Sequence, residues 1–404
     1  MAITFHTQPQ AFTPGSNPVV WSFSSDQTFQ TNFSYIVEFY INGILHSTHQ
    51  VFQQNGIYAK FNASEIMRGI LSSPLITDGT LLTLYESAYD LTRIIVYEQY
   101  GTPPAIVGAG TSSGTQKIIF NAALRHQDFV NWDYQLYNSS TSNPSSVNPI
   151  LFLTSWPRAY KYFCGLNEKV FLGFITNQGG TQDLRVKIQL YNSANGLIVQ
   201  NIIPFALSNL LVLDVSPQNI IDNSTITSGD FSTCVYYKIT VGNYVIGTYP
   251  GSTESFKIYI DTECQRYPSR RLHWLNKFGV WDSFTFDLVS TDSTKVEGNR
   301  YEKEKGIWQD ENYVYPLYQG EGTTFSKRAE DTLTLNSDWI KQDVQQWLVR
   351  ELYESPKVYL ESNGSFEPVN VTNASYKLKV SRRDGLIQEL VEIQRTYSFN
   401  SQLN

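Results

Sequence analysis

The sequence predicts a mainly β chain: two tandem β-sandwiches followed by a small α+β domain at the C-terminal end. Three observations predict it. Aromatic residues reach 14% of the 404 residues while charged residues reach only 17%, so the polar surface rests on Asn, Ser, Thr and Gln. Short apolar alternations recur between Gly-, Asn- and Ser-rich turns, as in an all-β chain. One stretch of strand patterning occurs twice, around Phe33–Ile70 and again around Leu184–Ile221. The length itself allows about two to three domains.

The repeat justifies the first two domains. FSYIVEFYINGIL sets Phe33, Tyr35, Val37 and Phe39 on one strand face, and LRVKIQLYNSANGLI does the same with Leu184, Val186, Ile188 and Leu190. Tyr40 and Tyr191 follow, then turns ending in Gly43 and Gly196, after which the copies run without gaps to Phe52 and Phe205. Short strands open at Ile57 and Leu210 and lead to helical segments Asn62–Ile70 and Ser216–Ile221, the first capped by Ser64 or Asn62, the second opened by Pro217. Looser matches lie outside: Val19–Phe23 with Val170–Ile175, Arg93–Gln99 with Cys234–Val241, and Gln116–Asn121 with Phe256–Asp261. Each copy reads as an Ig/fibronectin-like sandwich, over residues 1–122 and 166–262.

Residues 123–165 form a linker or insertion. Leu124, Phe129 and Trp132 have uneven helical spacing, and Asn138–Pro149 is a polar low-complexity loop, read as a contact arm or a tolerated insertion. Residues 263–404 carry the α+β pattern. Leu272–Asn276 and Ser283–Val289 read as strands, and the mixed-charge Thr294–Gly306 as a solvated hairpin or loop. Asp338–Glu354 predicts a helix, with Ile340, Val344, Trp347, Leu348 and Leu352 on one stripe, a cap at Ser337 or Asp338 and a stop at Ser355-Pro356. A hairpin through Asn363-Gly364, a strand Tyr376–Val380, a turn at Asp384-Gly385 and a last strand complete it. In that last strand Val391, Ile393, Tyr397 and Phe399 share a face.

Little in the sequence points to catalysis. Thirty basic residues against 37 acidic give a net charge of −7, which argues against nucleic-acid specificity. No apolar run is long enough to span a membrane, and Met1–Thr13 lacks the pattern of a secretory signal. Cys164, Cys234 and Cys264 are widely spaced and odd in number, which predicts buried thiols in a reducing cytoplasm. Gly110–Gly114 spells GxSxG around Ser112, but a strand-like QKIIF follows where a nucleophile elbow needs a helix. His46 and His49 lie three apart on a predicted strand and so are expected on opposite faces, and His273 is expected to pack beside Trp274. No metal, cofactor or catalytic residue is expected.

The one local basic patch is RYPSRRLHWLN. Arg266, Arg270 and Arg271, with Trp274 and the nearby Trp281, are the candidate contact residues. Together with the tandem copies and the DWIKQDVQQWLVRELYESPKVYLES…FEPVNVTNASYKLKV ending, the LHWLNKFGVWDSFTF segment resembles virion structural proteins of crAss-like, Bacteroidetes-infecting tailed bacteriophages. That resemblance implies a neck or tail ring component without catalytic residues. It would assemble in the host cytoplasm as a symmetric homo-oligomer and join other neck or tail proteins in the virion. Two other classes fit the composition: a receptor- or glycan-binding adhesin using exposed aromatics, and a glycoside hydrolase or esterase.

Overall fold

The computed structural model describes residues 3–400 except 55, 57, 140–149, 177–182, 206–207, 245–252, 262–266, 304–305, 310–311, 315–316, 318–319, 321, 363, 373–374 and 380–384. The chain is mainly β and divides into two compact units: Met1–Thr262 with Leu275–Ser283, and Glu263–Trp274 with Phe284–Asn404.

The first part of unit 1 runs β1 (Thr4–Thr7), β2 (Phe12–Pro14), β3 (Val20–Ser24), β4 (Ser34–Ile41), β5 (Ile44–Val51), β6 (Tyr58–Asn62), α1 (Ser64–Ile70), β7 (Leu82–Leu84), β8 (Tyr89–Tyr100), β9 (Ala105–Ser112) and β10 (Lys117–Phe120). After α2 (His126–Val130) come β11 (Tyr162–Cys164), β12 (Phe171–Ile175), β13 (Leu184–Tyr191), β14 (Leu197–Pro204), β15 (Leu210–Asp214), α3 (Pro217–Asn223), α4 (Ser228–Ser232), β16 (Tyr236–Asn243) and β17 (Phe256–Ile260). One large sheet has the order β2-β10-β8-β4-β5, with β9 also on β8; the other has the order β11-β17-β16-β13-β14. Strands from corresponding sequence stretches therefore hold corresponding places. In both sheets the outermost pair, β2–β10 and β11–β17, is parallel. The smaller sheets, β1-β3-β6 and β12-β15-β7, also match at their paired members β3–β6 and β12–β15.

Alternation explains the layering. Tyr35, Val37 and Phe39 of β4 are fully buried, and they join Trp21 and Phe23 of β3, Phe61 of β6, Met67 of α1 and Ile94 and Val96 of β8 in one core. Gly43 lies in the two-residue turn between β4 and β5. Asn42 and Gly43 both take positive φ there (49° and 82°), as a tight hairpin with the twist of its strands requires. Asn195, at φ 59°, bends the β13–β14 turn just before Gly196. In contrast to these half-buried strands, β12 and β15 are buried at every position. The strand β7, from the earlier part of the chain, extends their sheet, and residues 275–283 pack on it: a Cβ on Gly173 would overlap Val280.

Unit 2 is built on a seven-stranded sheet of order β19-β18-β24-β25-β26-β23-β20. Its strands are β18 (Arg270–Leu275), β19 (Trp281–Phe286), β20 (Thr291–Glu302), β23 (Gly322–Lys341), β24 (Val358–Ser362), β25 (Ser365–Val371) and β26 (Leu386–Asn400). The hairpin β21 (Ile307–Gln309) and β22 (Asn312–Val314) stands apart from that sheet. The helix α5 (Gln342–Glu354) buries Val344, Trp347, Leu348 and Leu352, the expected stripe. It starts four residues later than expected. Residues 338–341 continue β23, because ladder pairing with β26 runs on through Lys341, and the residue before the helix is Lys341 with no side-chain cap. Asp338 sits instead at a bulge with φ 58°. The described part of the expected strand Tyr376–Val380 is irregular; Val380, Asn363 and Asp384 lie outside the described residues. Of the face expected on β26, Val391 and Ile393 are buried while Tyr397 and Phe399 are exposed.

Candidate assembly surface

The residues that suggest catalysis have structural roles. Ser112 ends β9 opposite Ile95, with no helix after it, and its hydroxyl accepts from the Gly114 amide at 3.2 Å. Ser113 beside it is buried, accepting from the Ile94 amide at 3.1 Å. His46 and His49 do not point to opposite faces as their spacing implies. His46 is the extra residue of a β-bulge, so the side-chain alternation slips by one. As a result the His46 ring lies against Phe39 and the His49 ring against Phe61, within one aromatic cluster. Among the described residues no group of three His, Cys, Asp or Glu is placed to hold a metal. Cys164 and Cys234 are buried, and burial pushes the Cys234 thiol up to about 11; Cys264 lies outside the described residues.

Two clefts open on unit 1. The larger, about 360 Å³, is lined by residues 74–78 and 83–87, including Glu86, Tyr85, which accepts from the Trp281 indole, and Asp78, which accepts from the Thr80 amide at 3.3 Å. The smaller, about 210 Å³, holds Asp128, Asp133, Trp132 and Tyr137 and is the natural place to look for a carboxylate pair beside sugar-stacking rings. Both carboxylates are committed elsewhere. Asp128 accepts from the Lys277 ammonium at 2.9 Å, and Asp133 accepts from the Gln135 amide at 3.0 Å at the start of a short helical turn. Trp132 is buried with its indole N–H donating to the Phe12 carbonyl at 2.9 Å, so its face is not offered to a ligand.

The contact residues expected from the basic patch are mostly interior. Arg266 lies outside the described residues. Arg270 is half-buried on β18. Arg271 is buried, with its guanidinium donating to Thr285 Oγ1 at 2.5 Å, and it stands directly opposite Glu361 of β24. Two residues on, the buried His273 pairs with Glu361 at 2.7 Å and packs edge-on to Phe366. On the other face Trp274 is fully buried against Trp347 of α5, with ring centroids 5.1 Å apart. Trp281 is fully buried in unit 1, its indole N–H donating to the Tyr85 hydroxyl at 2.8 Å and the Pro74 carbonyl at 2.9 Å. Arg271, Trp274 and Trp281 are therefore core residues and not a contact surface. The reason is topological: β18 is flanked by β19 and β24, and its charged face finds charged partners within the sheet.

The surface that stands unpartnered lies at the other end of this sheet. Every residue of β20 is exposed, over twelve residues. Among the described residues the strand pairs with β23 alone, which pairs in turn with β26. Across these three strands, Val296 stands opposite Ala329 and Ala329 opposite Phe399. Val296, Phe399 and Tyr397 remain 57%, 70% and 71% exposed. The reverse face is charged: Lys295 pairs with Glu297 at 2.6 Å and Arg328 with Glu330 at 3.1 Å, and the Lys295 ammonium bonded to Glu297 holds that carboxyl below its usual range. The result is a solvent-exposed three-stranded arm in which an apolar row, Val296, Ala329 and Phe399, runs among polar and charged residues. Ordering backbone costs roughly 1–2 kcal/mol per residue, and strands exposed on both faces bury little to offset it. Sequence patterning missed this because TDSTKVEGNRYE has one aliphatic side chain and its charged residues fall on both faces, Asp292, Arg300 and Glu302 with Val296, Lys295 and Glu297 on the other.

The chain matches no protein-family model and no curated protein. Among the described residues no helix is long and apolar enough to cross a membrane.

Proposed function

We propose that this chain is a non-enzymatic structural component of a tailed-bacteriophage virion, a neck or tail ring or connector protein of the crAss-like kind, working as a symmetric homo-oligomer. In this reading unit 1 is a pair of tandem Ig/fibronectin-like sandwiches acting as a rigid spacer, and the end of the chain is a small α+β domain that carries contacts. It requires no cofactor, and its partners are copies of itself and neighbouring neck or tail proteins.

One observation carries the reading: the exposed arm of β20, β23 and β26, whose apolar row Val296–Ala329–Phe399 is uncovered among the described residues. Contiguous exposed apolar surface of this kind marks association sites. Closed symmetric assemblies use such edges and faces repeatedly. The test is negative-stain electron microscopy and sedimentation of the purified chain, with immunogold labelling of the virions that contain it. Closed oligomers and label at the neck or tail are expected. A chain that sediments as a monomer at every concentration, with no label on particles, overturns the proposal.

A further inference from the structure

We infer that β20 pairs antiparallel with β20 of a second copy of this chain, across a two-fold axis through Val296. The strand is the terminal member of its sheet, so one row of its backbone N–H and C=O groups has no neighbouring strand among the described residues. Edges of this length are usually guarded by charged side chains, a proline or a bulge, and β20 carries Asp292, Lys295, Glu297, Arg300 and Glu302. Here β20 contains no proline, and where its ladder with β23 shifts register the extra residue, Phe325, belongs to β23, so β20 itself runs unbroken.

Its charges select one register. An antiparallel pair centred on Val296 sets Lys295 opposite the second copy's Glu297 and Asp292 opposite its Arg300, each twice by symmetry. No like charges meet. Moving the centre one residue to Lys295 sets Lys295 against itself. Moving it one residue the other way sets Glu297 against itself and Asp292 against Glu302. Directly opposed charges on neighbouring strands stabilise when opposite and destabilise when alike. The pattern that repels in the two adjacent registers therefore attracts a second copy in this one, and centring on Thr294 or Gly298 brings no charged pair together at all. The same register sets Val296 beside its symmetry mate and extends the row Val296–Ala329–Phe399 into a continuous apolar band over six strands. The chain's net charge of −7 does not oppose the contact, because the residues that meet are balanced.

This inference rests on the assembly reading and names its partner and register. A two-fold contact joins chains in pairs and leaves their other surfaces for ring closure.

The test uses charge variants and cysteine pairs in the full chain, with Cys264→Ser as background. Lys295→Glu and Glu297→Lys each set like charges across the axis, and each alone is expected to weaken dimerisation roughly tenfold or more by sedimentation velocity. Mixed in equal amounts the two variants are complementary, and wild-type-like dimerisation returns. Under oxidation, Val296→Cys is expected to cross-link to itself, or Ser293→Cys to cross-link to Asn299→Cys in a mixture. One of these two pairs falls at the non-hydrogen-bonded spacing of about 4.5 Å between Cα atoms where a disulfide closes. Ser293→Cys alone does not cross-link. Variants that assemble like wild type, a mixture that restores nothing, or no cross-link in either pair overturns the inference. If larger oligomers persist through those results, only this contact falls; if wild type is a monomer throughout, the assembly reading falls with it.

Discussion

Gly279 offers the sharpest test of how residues 275–283 lock unit 1. Its φ is 75°, and a Cβ there would overlap the carbonyl of Asn121. The surrounding turn is held closely: Asn276 Oδ1 accepts from the amides of Phe278 and Val280 at 2.9 and 3.2 Å, the Gly279 carbonyl accepts from Ser73 Oγ at 2.8 Å, and the Ala123 amide donates to the Lys277 carbonyl at 2.8 Å. Gly43 is the matched control, with φ 82° and nothing within 4 Å of its missing Cβ. Gly43→Ala therefore meets only the left-handed backbone penalty, about 1–2 kcal/mol. Gly279→Ala meets the same penalty plus overpacking of about 1–3 kcal/mol. At about 2–4 °C per kcal/mol for a unit of this size, the added contact lowers Tm by roughly 2–12 °C beyond the control. Differential scanning calorimetry of the full chain, following the unit 1 transition, reads the difference. Equal Tm values for the two variants would refute the reasoning, because the Asn121 contact is the only term that separates them.

Glu361→Ala removes the buried carboxylate that pairs with His273 at 2.7 Å and is expected to destabilise unit 2 by about 3–5 kcal/mol, read from urea denaturation. Cys234 is expected to resist alkylation at pH 8 in the folded chain, checked by mass spectrometry against the same chain in denaturant. Its folded thiol titrates at about 11 against 9.0 in the unfolded chain, so the stability it contributes is full below pH 9 and is lost as pH rises through 11. Cys234→Ala should therefore show a shallower alkaline loss than wild type. Ser112→Ala should leave Tm unchanged within the equivalent of about 0.5 kcal/mol, since its hydroxyl serves only the Gly114 amide on an exposed strand end.

Several features were legible in the residues themselves. The alternation of Tyr35, Val37 and Phe39 and of Leu184, Val186, Ile188 and Leu190 names the buried faces of β4 and β13. Asn42-Gly43 names a tight turn, and the stripe from Val344 to Leu352 names a helix. These are local facts, because side-chain period and turn chemistry depend on neighbours a few residues away. Where locality failed, the cause can be named. The bulge at His46 arises from pairing with β4 and reverses a face that spacing alone assigns. The late start of α5 follows from pairing of β23 with a strand some fifty residues further along the chain.

The candidate surface shows the same division. RYPSRRLHWLN reads as a solvent-facing basic patch because arginine is seldom buried. Strand order placed it inside the sheet of unit 2, where Glu361 stands opposite Arg271 and Trp347 covers Trp274. Thr294–Gly306 reads as a solvated hairpin or loop, and tertiary structure made residues 291–302 the edge strand of an exposed arm. By itself, then, the sequence determined that the chain is mainly β, which faces of its regular strands turn inward and where its turns fall. Only the tertiary structure decided which strand ends a sheet and which lies within it. A residue's burial depends on partners brought from distant parts of the chain, and no local period encodes them.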